Sequence, residues 1–198
     1  MPEIYKKSPS VRFIVLAVVA TAVTGLLGAI FEHYFKSARG SLPTVALMWA
    51  INGTLLLITD LRKKTRLSLR RFGIKEAAIV GLAQTVAIMP GISRSGATIC
   101  AAILIGLHRR WAVEFSFLIA IPAILGATAV ELLKNFSQLD LSILPIGSVI
   151  AGLIAAVLAG IMALKLLIKT LRTAKLKLFA LYCYILALFT VIYFLSKS

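Results

Sequence analysis

The residues of this chain that could do chemistry are concentrated around one arginine, Arg94, in an otherwise apolar stretch. Ser93 and Ser95 flank Arg94, and Thr98 follows one helical turn later. Arginine presents paired donors that match the oxygens of a phosphate group, and serine and threonine hydroxyls can donate further hydrogen bonds. This combination predicts an oxyanion site, most naturally one for phosphate, in which Arg94, Ser93, Ser95 and Thr98 contact the anion.

Two glycines and a proline give the same segment the backbone of a ligand-binding loop. Pro90 and Gly91 break the preceding apolar helix, and Gly96 allows a ligand to approach the main chain closely. A helix predicted to start near Ala97 would direct free N–H groups and its positive dipole end at the same place. We therefore expect Gly91 and Gly96 to lie against the ligand. Gln84, on the preceding helix, is a further candidate for ligand binding, and packing between helices explains it equally well.

A structural role for Arg94 is the main alternative to anion binding. The guanidinium could pair with a carboxylate such as Glu114 or Glu131, or cap helix carbonyls. An unpaired arginine near the centre of a bilayer costs at least ~2.5–3.5 kcal/mol on insertion scales, and a structural role leaves the serines and glycines unexplained. Glu114 is explained more simply by pairing at the membrane interface with the basic residues just before it. Cys100 and Cys183 lack any ligand spacing, so we predict no metal ligands.

The composition requires a lipid environment for these residues. The chain of 198 residues is 60% hydrophobic and 15% charged, whereas soluble domains are about 45–50% apolar and about 25% charged. Its 22 Lys and Arg residues against 7 Asp and Glu residues would suggest nucleic acid in a soluble protein. Here the basic residues lie between apolar blocks, so we interpret them as membrane topology and expect membrane lipid, not nucleic acid, as a partner.

Five segments are long enough to cross a hydrocarbon core ~30 Å thick, which takes about 17–25 helical residues. They cover approximately residues 13–31, 42–59, 113–133, 146–164 and 178–195. In the fourth, small residues recur at four-residue spacing (Gly152, Ala156 and Gly160), a pattern that favours close helix packing. The sequence therefore predicts an all-α polytopic membrane protein forming one domain over residues 1–198.

The stretch over residues 76–107 differs from the five spans. Its two apolar arms, residues 77–89 and 97–107, would form helices only ~17–20 Å long, too short to cross. The stretch is either one broken crossing or a re-entrant helix-loop-helix hairpin. A hairpin, with the basic linker of residues 60–75 in the cytoplasm, places most of the Lys and Arg residues on the cytoplasmic side. A crossing would move the later basic residues outside, so the positive-inside rule favours the hairpin.

Residues 89–98, Met-Pro-Gly-Ile-Ser-Arg-Ser-Gly-Ala-Thr, resemble the signature of the bacterial undecaprenyl-diphosphate phosphatases, the bacitracin-resistance family. Similarity continues over residues 81–84, 114–118 and 121–122, and it extends over essentially the whole chain. The resemblance implies hydrolysis of undecaprenyl diphosphate to the monophosphate at the outer face of the bacterial cytoplasmic membrane. This reaction recycles the lipid carrier for cell-wall synthesis and confers bacitracin resistance. The implied fold is an inverted repeat with two re-entrant hairpins that meet at mid-membrane.

The resemblance assigns Arg94 to neutralising charge on the diphosphate, and Ser93, Ser95 and Thr98 to hydrogen bonds with phosphate oxygens. It also implies a divalent cation, Mg²⁺ or Ca²⁺, whose ligands we do not identify. The family's earlier hairpin, a Glu-x-x-x-Glu pair followed by Pro-x-Ser-Ser-Thr-Gly-His, has no counterpart in this sequence. We therefore expect the chain to correspond to the C-terminal two-thirds of the family.

The missing hairpin keeps two further functions open. The chain could bind or translocate polyprenyl phosphates without hydrolysing them, since it retains the anion loop and lacks the hydrolytic half. A small transporter for another anion, with broken-helix ends facing the substrate, is the third hypothesis. A partner chain or a homodimer could supply the missing groups.

Overall fold

A computed structural model describes residues 9–38, 41–62, 67, 71–135, 145–172 and 176–197, and these ranges are almost entirely α-helical. Residues 63–66 and 68–70 of the predicted basic linker lie outside the described ranges. The eight described helices are α1 (Pro9–Ile30), α2 (Glu32–Ala38), α3 (Leu42–Leu61), α4 (Ile74–Val86), α5 (Arg94–Ile105), α6 (Arg109–Asn135), α7 (Ile146–Arg172) and α8 (Leu176–Lys197).

Five of these helices, α1, α3, α6, α7 and α8, are long and apolar enough to span a membrane. They correspond to the five predicted segments, with ends that differ from the predicted ones by at most eight residues. The protein is therefore a multi-pass membrane protein, and the predicted all-α class is confirmed.

The contacts between helix ends show that α4 begins at the same end of the molecule as the one at which α5 ends. The backbone N–H of Leu67 donates to Gly106 O at 2.9 Å, and that of His108 donates to Leu67 O at 3.3 Å. Phe72, just before α4, packs against Phe115 of α6 with ring centroids 4.9 Å apart. The two short helices are thus antiparallel, as a hairpin requires. Their depth in a bilayer stays a prediction.

The same end of the molecule, which we call the basic end, joins further helix termini. Arg12, near the start of α1, donates to Phe72 O at 3.0 Å. The backbone N–H of Leu176, the first residue of α8, donates to Asp60 Oδ1 at 3.1 Å. At the opposite end, Lys134 of α6 pairs with Glu32 of α2 at 2.8 Å. The helices joined by these contacts therefore run between the two ends.

The helix α5 is enclosed by its neighbours α3, α4 and α6. Half of its residues are buried: Ala97, Thr98, Ile99, Cys100, Ala102 and Ile103. The neighbouring helices approach closely at glycines. A Cβ on Gly81 of α4 would lie 2.5 Å from Ala20 O of α1, and one on Gly53 of α3 would lie 3.1 Å from Ala180 O of α8. This packing fixes the N-terminus of α5, where the predicted site residues lie.

Candidate phosphate-binding site

The helix α5 begins at Arg94, three residues before the predicted start near Ala97. Ser93 is its N-cap, with extended backbone angles (φ −72°, ψ 118°), and its Oγ accepts a hydrogen bond from Gly96 N at 3.1 Å. Serine is among the preferred N-cap residues because its oxygen satisfies an otherwise unpartnered N–H group. The predicted start near Ala97 is wrong because Ser93, which the sequence predicts to contact the ligand, also caps the helix.

The earlier start divides the predicted ligand residues between two cavities. Consecutive residues of an α-helix project about 100° apart, so Arg94 and Ser95 face different sides. Arg94, half-buried, lines a cavity of about 610 Å³ between α1 and α6. Ser93, Ser95 and Gly96 line a second cavity of about 370 Å³ against α3 and α8. We call these the Arg94 cavity and the Ser95 cavity.

The end of α5 between the two cavities offers free backbone donors. The first four N–H groups of a helix have no partner within it. Here Ser93 N donates to Asn52 Oδ1 at 3.3 Å, and Gly96 N donates to Ser93 Oγ. Among the described residues, the N–H groups of Arg94 and Ser95 have no acceptor. These two donors, together with the positive end of the helix dipole, form an anion-binding arrangement that both cavities border.

Gly91 of the loop is required by its backbone conformation and close contacts, and Gly96, in the first turn of α5, packs tightly against the N-cap. Gly91 has φ +99°, and a Cβ there would lie 2.7 Å from Val45 O and 2.9 Å from Met48 Cβ of α3. A Cβ on Gly96 would lie 3.0 Å from Ser93 Cβ and 3.4 Å from Asn52 Oδ1. The glycines therefore hold the loop against α3 and leave space for the N-cap. Their contact with a ligand stays a prediction.

Thr98 and Gln84 make contacts within the protein. The Thr98 hydroxyl is buried and donates to Arg94 O at 3.0 Å and to Ser95 O at 3.2 Å, so it stabilises the first turn of α5. Gln84 is fully buried and donates to Thr24 Oγ1 of α1 at 3.1 Å. Gln84 Oε1 has no partner among the described residues. Thr24 lines the Arg94 cavity, so Gln84 adjoins that cavity through Thr24.

Besides Arg94 itself, the charged residues that line the Arg94 cavity lie toward the end of the molecule opposite the basic end. Glu32, Glu131 and Lys134 share its lining with Arg94. Glu32 and Lys134 form an ion pair of 2.8 Å, and each side chain is about half exposed. Acidic and basic groups thus face the same space, which suits a ligand that carries negative charge together with a cation.

The two carboxylates considered as partners of Arg94 lie at opposite ends of α6. Glu114 pairs with Arg110 at 2.9 Å, which confirms the interfacial pairing expected for it. Glu114 is therefore committed at the basic end. Glu131 is the one of the two that shares a cavity with Arg94.

Asn52 is a site residue that the sequence analysis missed. The residue is 1% exposed. Asn52 Oδ1 accepts from Ser93 N, and its Nδ2 donates to Cys183 Sγ at 3.2 Å, so it links α3, α5 and α8. The sequence could have indicated Asn52, because its carboxamide lies in the middle of an apolar span, where polar groups are costly and usually functional.

The family of the chain is shown by its match to known proteins. The family described as Bacitracin resistance protein BacA matches residues 2–189. The chain belongs to this family. An undecaprenyl-diphosphatase of Methanothermobacter thermautotrophicus is 37% identical over 177 residues, which cover 87% of this chain and 96% of that protein. The family that the sequence motif predicted is thereby confirmed.

Two longer relatives bear the same name. The undecaprenyl-diphosphatase of Carboxydothermus hydrogenoformans is 38% identical over 91% of this chain and 69% of its own length. That of Methanobrevibacter smithii is 35% identical over 94% of this chain and 66% of its own length. The chain thus spans about two thirds of these two family members.

Proposed function

We propose that the protein hydrolyses undecaprenyl diphosphate to undecaprenyl phosphate and inorganic phosphate, which recycles the cell-wall lipid carrier and confers bacitracin resistance. The observation that carries the proposal is the N-terminus of α5. There Arg94 and two free N–H groups meet in a membrane protein of the BacA family. The relatives named undecaprenyl-diphosphatase support the same substrate.

In this reaction an oxygen of water forms a bond with the terminal phosphorus, and the bond from that phosphorus to the bridging oxygen breaks. The lipid monophosphate leaves with the electron pair, and the proton lost by the attacking water is released to solvent. Phosphoryl transfer requires mainly positioning and charge stabilisation from the protein. The N–H groups of Arg94 and Ser95 bind phosphate oxygens, and the Arg94 guanidinium neutralises the charge that develops. The Ser93 hydroxyl, whose oxygen accepts from Gly96 N, still has its own proton to donate.

A divalent cation is part of the proposal, and the residues present suit one that is bound together with the substrate. Mg²⁺ is usually held by one or two carboxylates plus substrate phosphates. Glu32 and Glu131 line the Arg94 cavity and would supply those carboxylates. The described residues contain no group of three or more acidic, His or Cys ligands that could hold the metal without substrate. The cation would neutralise charge on the diphosphate oxygens.

We place the protein in the bacterial cytoplasmic membrane, with the basic end in the cytoplasm and the α4–α5 pair as a re-entrant hairpin. The positive-inside rule supports this orientation, because Arg12, Arg109 and Arg110 lie at that end. The Arg94 cavity extends toward Glu32 and Lys134 at the opposite end. The site would accordingly open to the outer face. Labelling of single cysteines in intact cells tests this, and outward exposure of position 110 would contradict it.

The test of the activity is phosphate release by purified protein from undecaprenyl or farnesyl diphosphate in the presence of Mg²⁺ or Ca²⁺. Arg94→Ala should lower the rate by about 100-fold or more, the usual effect of removing a group that stabilises the transition state. Arg110→Ala is the matched control, because Arg110 is exposed at the basic end and pairs with Glu114. Equal rates for Arg94→Ala and the parent protein would contradict the assignment.

The same measurements separate hydrolysis from the alternative of binding or translocation without catalysis. Binding of lipid phosphates that depends on Arg94, with no turnover at any metal concentration, would replace the enzyme assignment. Competition by free pyrophosphate as strong as that by the lipid-linked form would instead indicate a transporter for small anions.

A further inference from the structure

The phosphate chemistry uses the polar groups of the Ser95 cavity at the end of α5 and leaves the apolar part of this cavity without a role. Its polar groups, Asn52, Ser93 and Ser95, lie together at the N-terminus of α5. Its other walls include Leu56, Ile99 and Phe179. A cavity that is apolar, with a few polar groups gathered at one place, suits a ligand with a hydrocarbon body and one polar end.

We propose that the Ser95 cavity binds the isoprene units next to the diphosphate of the lipid substrate. The proposal relies on the function proposed above for the identity of the lipid. In this arrangement the hydrocarbon chain lies on the Ser95 side of α5, and the diphosphate caps the helix end and reaches Arg94 on the other side.

The size and lining of the cavity suit a short stretch of hydrocarbon chain. An apolar cavity of about 150 Å³ holds one benzene molecule. The Ser95 cavity, at about 370 Å³, therefore has space for roughly two to three isoprene units by the same measure. Trp49 and Tyr182 line it and pack edge to face, with ring centroids 6.3 Å apart and an interplanar angle of 89°. Such rings present flat apolar surfaces to a branched, unsaturated chain.

The chain offers an intrinsic probe of this cavity. The sequence contains two tryptophans. Trp49 lines the Ser95 cavity, whereas Trp111 packs against Phe13 near the basic end, with ring centroids 6.3 Å apart. In a Trp111→Phe background the tryptophan fluorescence reports on the cavity alone, whether or not the substrate is hydrolysed.

The experiment titrates this Trp111→Phe protein in detergent with farnesol and with farnesyl diphosphate. Both should change Trp49 fluorescence with saturation. Ala163→Phe places a ring into the cavity from the exposed helix α7 and should weaken both affinities by about tenfold or more. That factor corresponds to the lost burial of about two methylene groups. Ala163→Leu should have a smaller effect, and Ala155→Phe, on the same helix outside the cavity, should have none.

Three results would overturn the proposal: no saturable fluorescence change, the same affinity in Ala163→Phe as in the parent, or equal binding of a linear alcohol of the same length. Inorganic pyrophosphate is the control for the phosphate end, because its affinity should fall in Arg94→Ala and stay unchanged in Ala163→Phe. If farnesol binds and Ala163→Phe weakens it while no phosphate is released, the hydrolysis assignment fails and the cavity assignment stands. If Ala163→Phe and the parent protein hydrolyse farnesyl diphosphate equally well, the cavity assignment fails and the hydrolysis assignment stands.

Discussion

The loop before α5 depends on Gly91, and replacing this residue by alanine tests whether the loop has the observed conformation. Gly91 has φ +99°, a region in which residues with a side chain are strained by roughly 1–2 kcal/mol. The new Cβ would also lie 2.7 Å from Val45 O and 2.9 Å from Met48 Cβ. Val45 O belongs to the helix α3 and cannot move without disturbing it, so overpacking adds roughly 1–3 kcal/mol. We expect Gly91→Ala to lower the free energy of unfolding by about 2–5 kcal/mol.

The assay is unfolding by sodium dodecyl sulfate in mixed micelles, followed by circular dichroism, together with phosphate release. Gly147→Ala is the matched control, because a Cβ on Gly147, in α7, meets no atom within 4 Å. That variant should be as stable as the parent or up to about 1 kcal/mol more stable, because alanine favours helix. In Gly91→Ala the displaced loop should also weaken the Ser93–Asn52 bond and lower phosphate release. Equal stability and activity of the two alanine variants would refute the loop conformation.

Three further changes probe the helix end and the cavity. Asn52→Asp keeps an acceptor for Ser93 N but adds a carboxylate beside the anion site. The Kd for farnesyl diphosphate, measured by Trp49 fluorescence, should therefore rise tenfold or more, a loss of about 1.4 kcal/mol in binding free energy. An unchanged Kd would show that the phosphates bind elsewhere. Ser93→Ala removes the cap on Gly96 N, so the free energy of unfolding should fall by about 0.5–2 kcal/mol, a loss that Ser196→Ala, at the exposed end of α8, should not reproduce. Removing Mg²⁺ and Ca²⁺ by chelation should stop phosphate release. Glu131→Gln should raise the metal concentration required for half-maximal rate, and turnover that does not depend on metal would contradict the cation proposal.

The spans and the helix break could be predicted because their causes are local in sequence. A run of about twenty predominantly apolar residues predicts a spanning helix, and the Pro90-Gly91 pair interrupts the helix that precedes it. The start of α5 could not be fixed in the same way, because Ser93 is equally suited to bind a phosphate and to cap a helix. The cap is favoured by the contact with Asn52, which lies 41 residues earlier in the chain and is visible only in the packed structure.

The difference of three residues in the start of α5 changes the chemistry that the site can support. In an irregular loop, Ser93, Arg94 and Ser95 could all converge on one phosphate. On a helix that begins at Arg94, the side chains of Arg94 and Ser95 point about 100° apart, while their backbone N–H groups remain together at the helix end. An anion bound there has Arg94 and the charged cavity on one side and Ser95 and the apolar cavity on the other. A free phosphate would use only one of these sides, whereas a diphosphate attached to a hydrocarbon chain would use both. The geometry therefore favours a lipid-linked ligand over a soluble one. Because the two sides are separate, Arg94→Ala should affect binding of the diphosphate and Ala163→Phe should affect binding of the hydrocarbon chain.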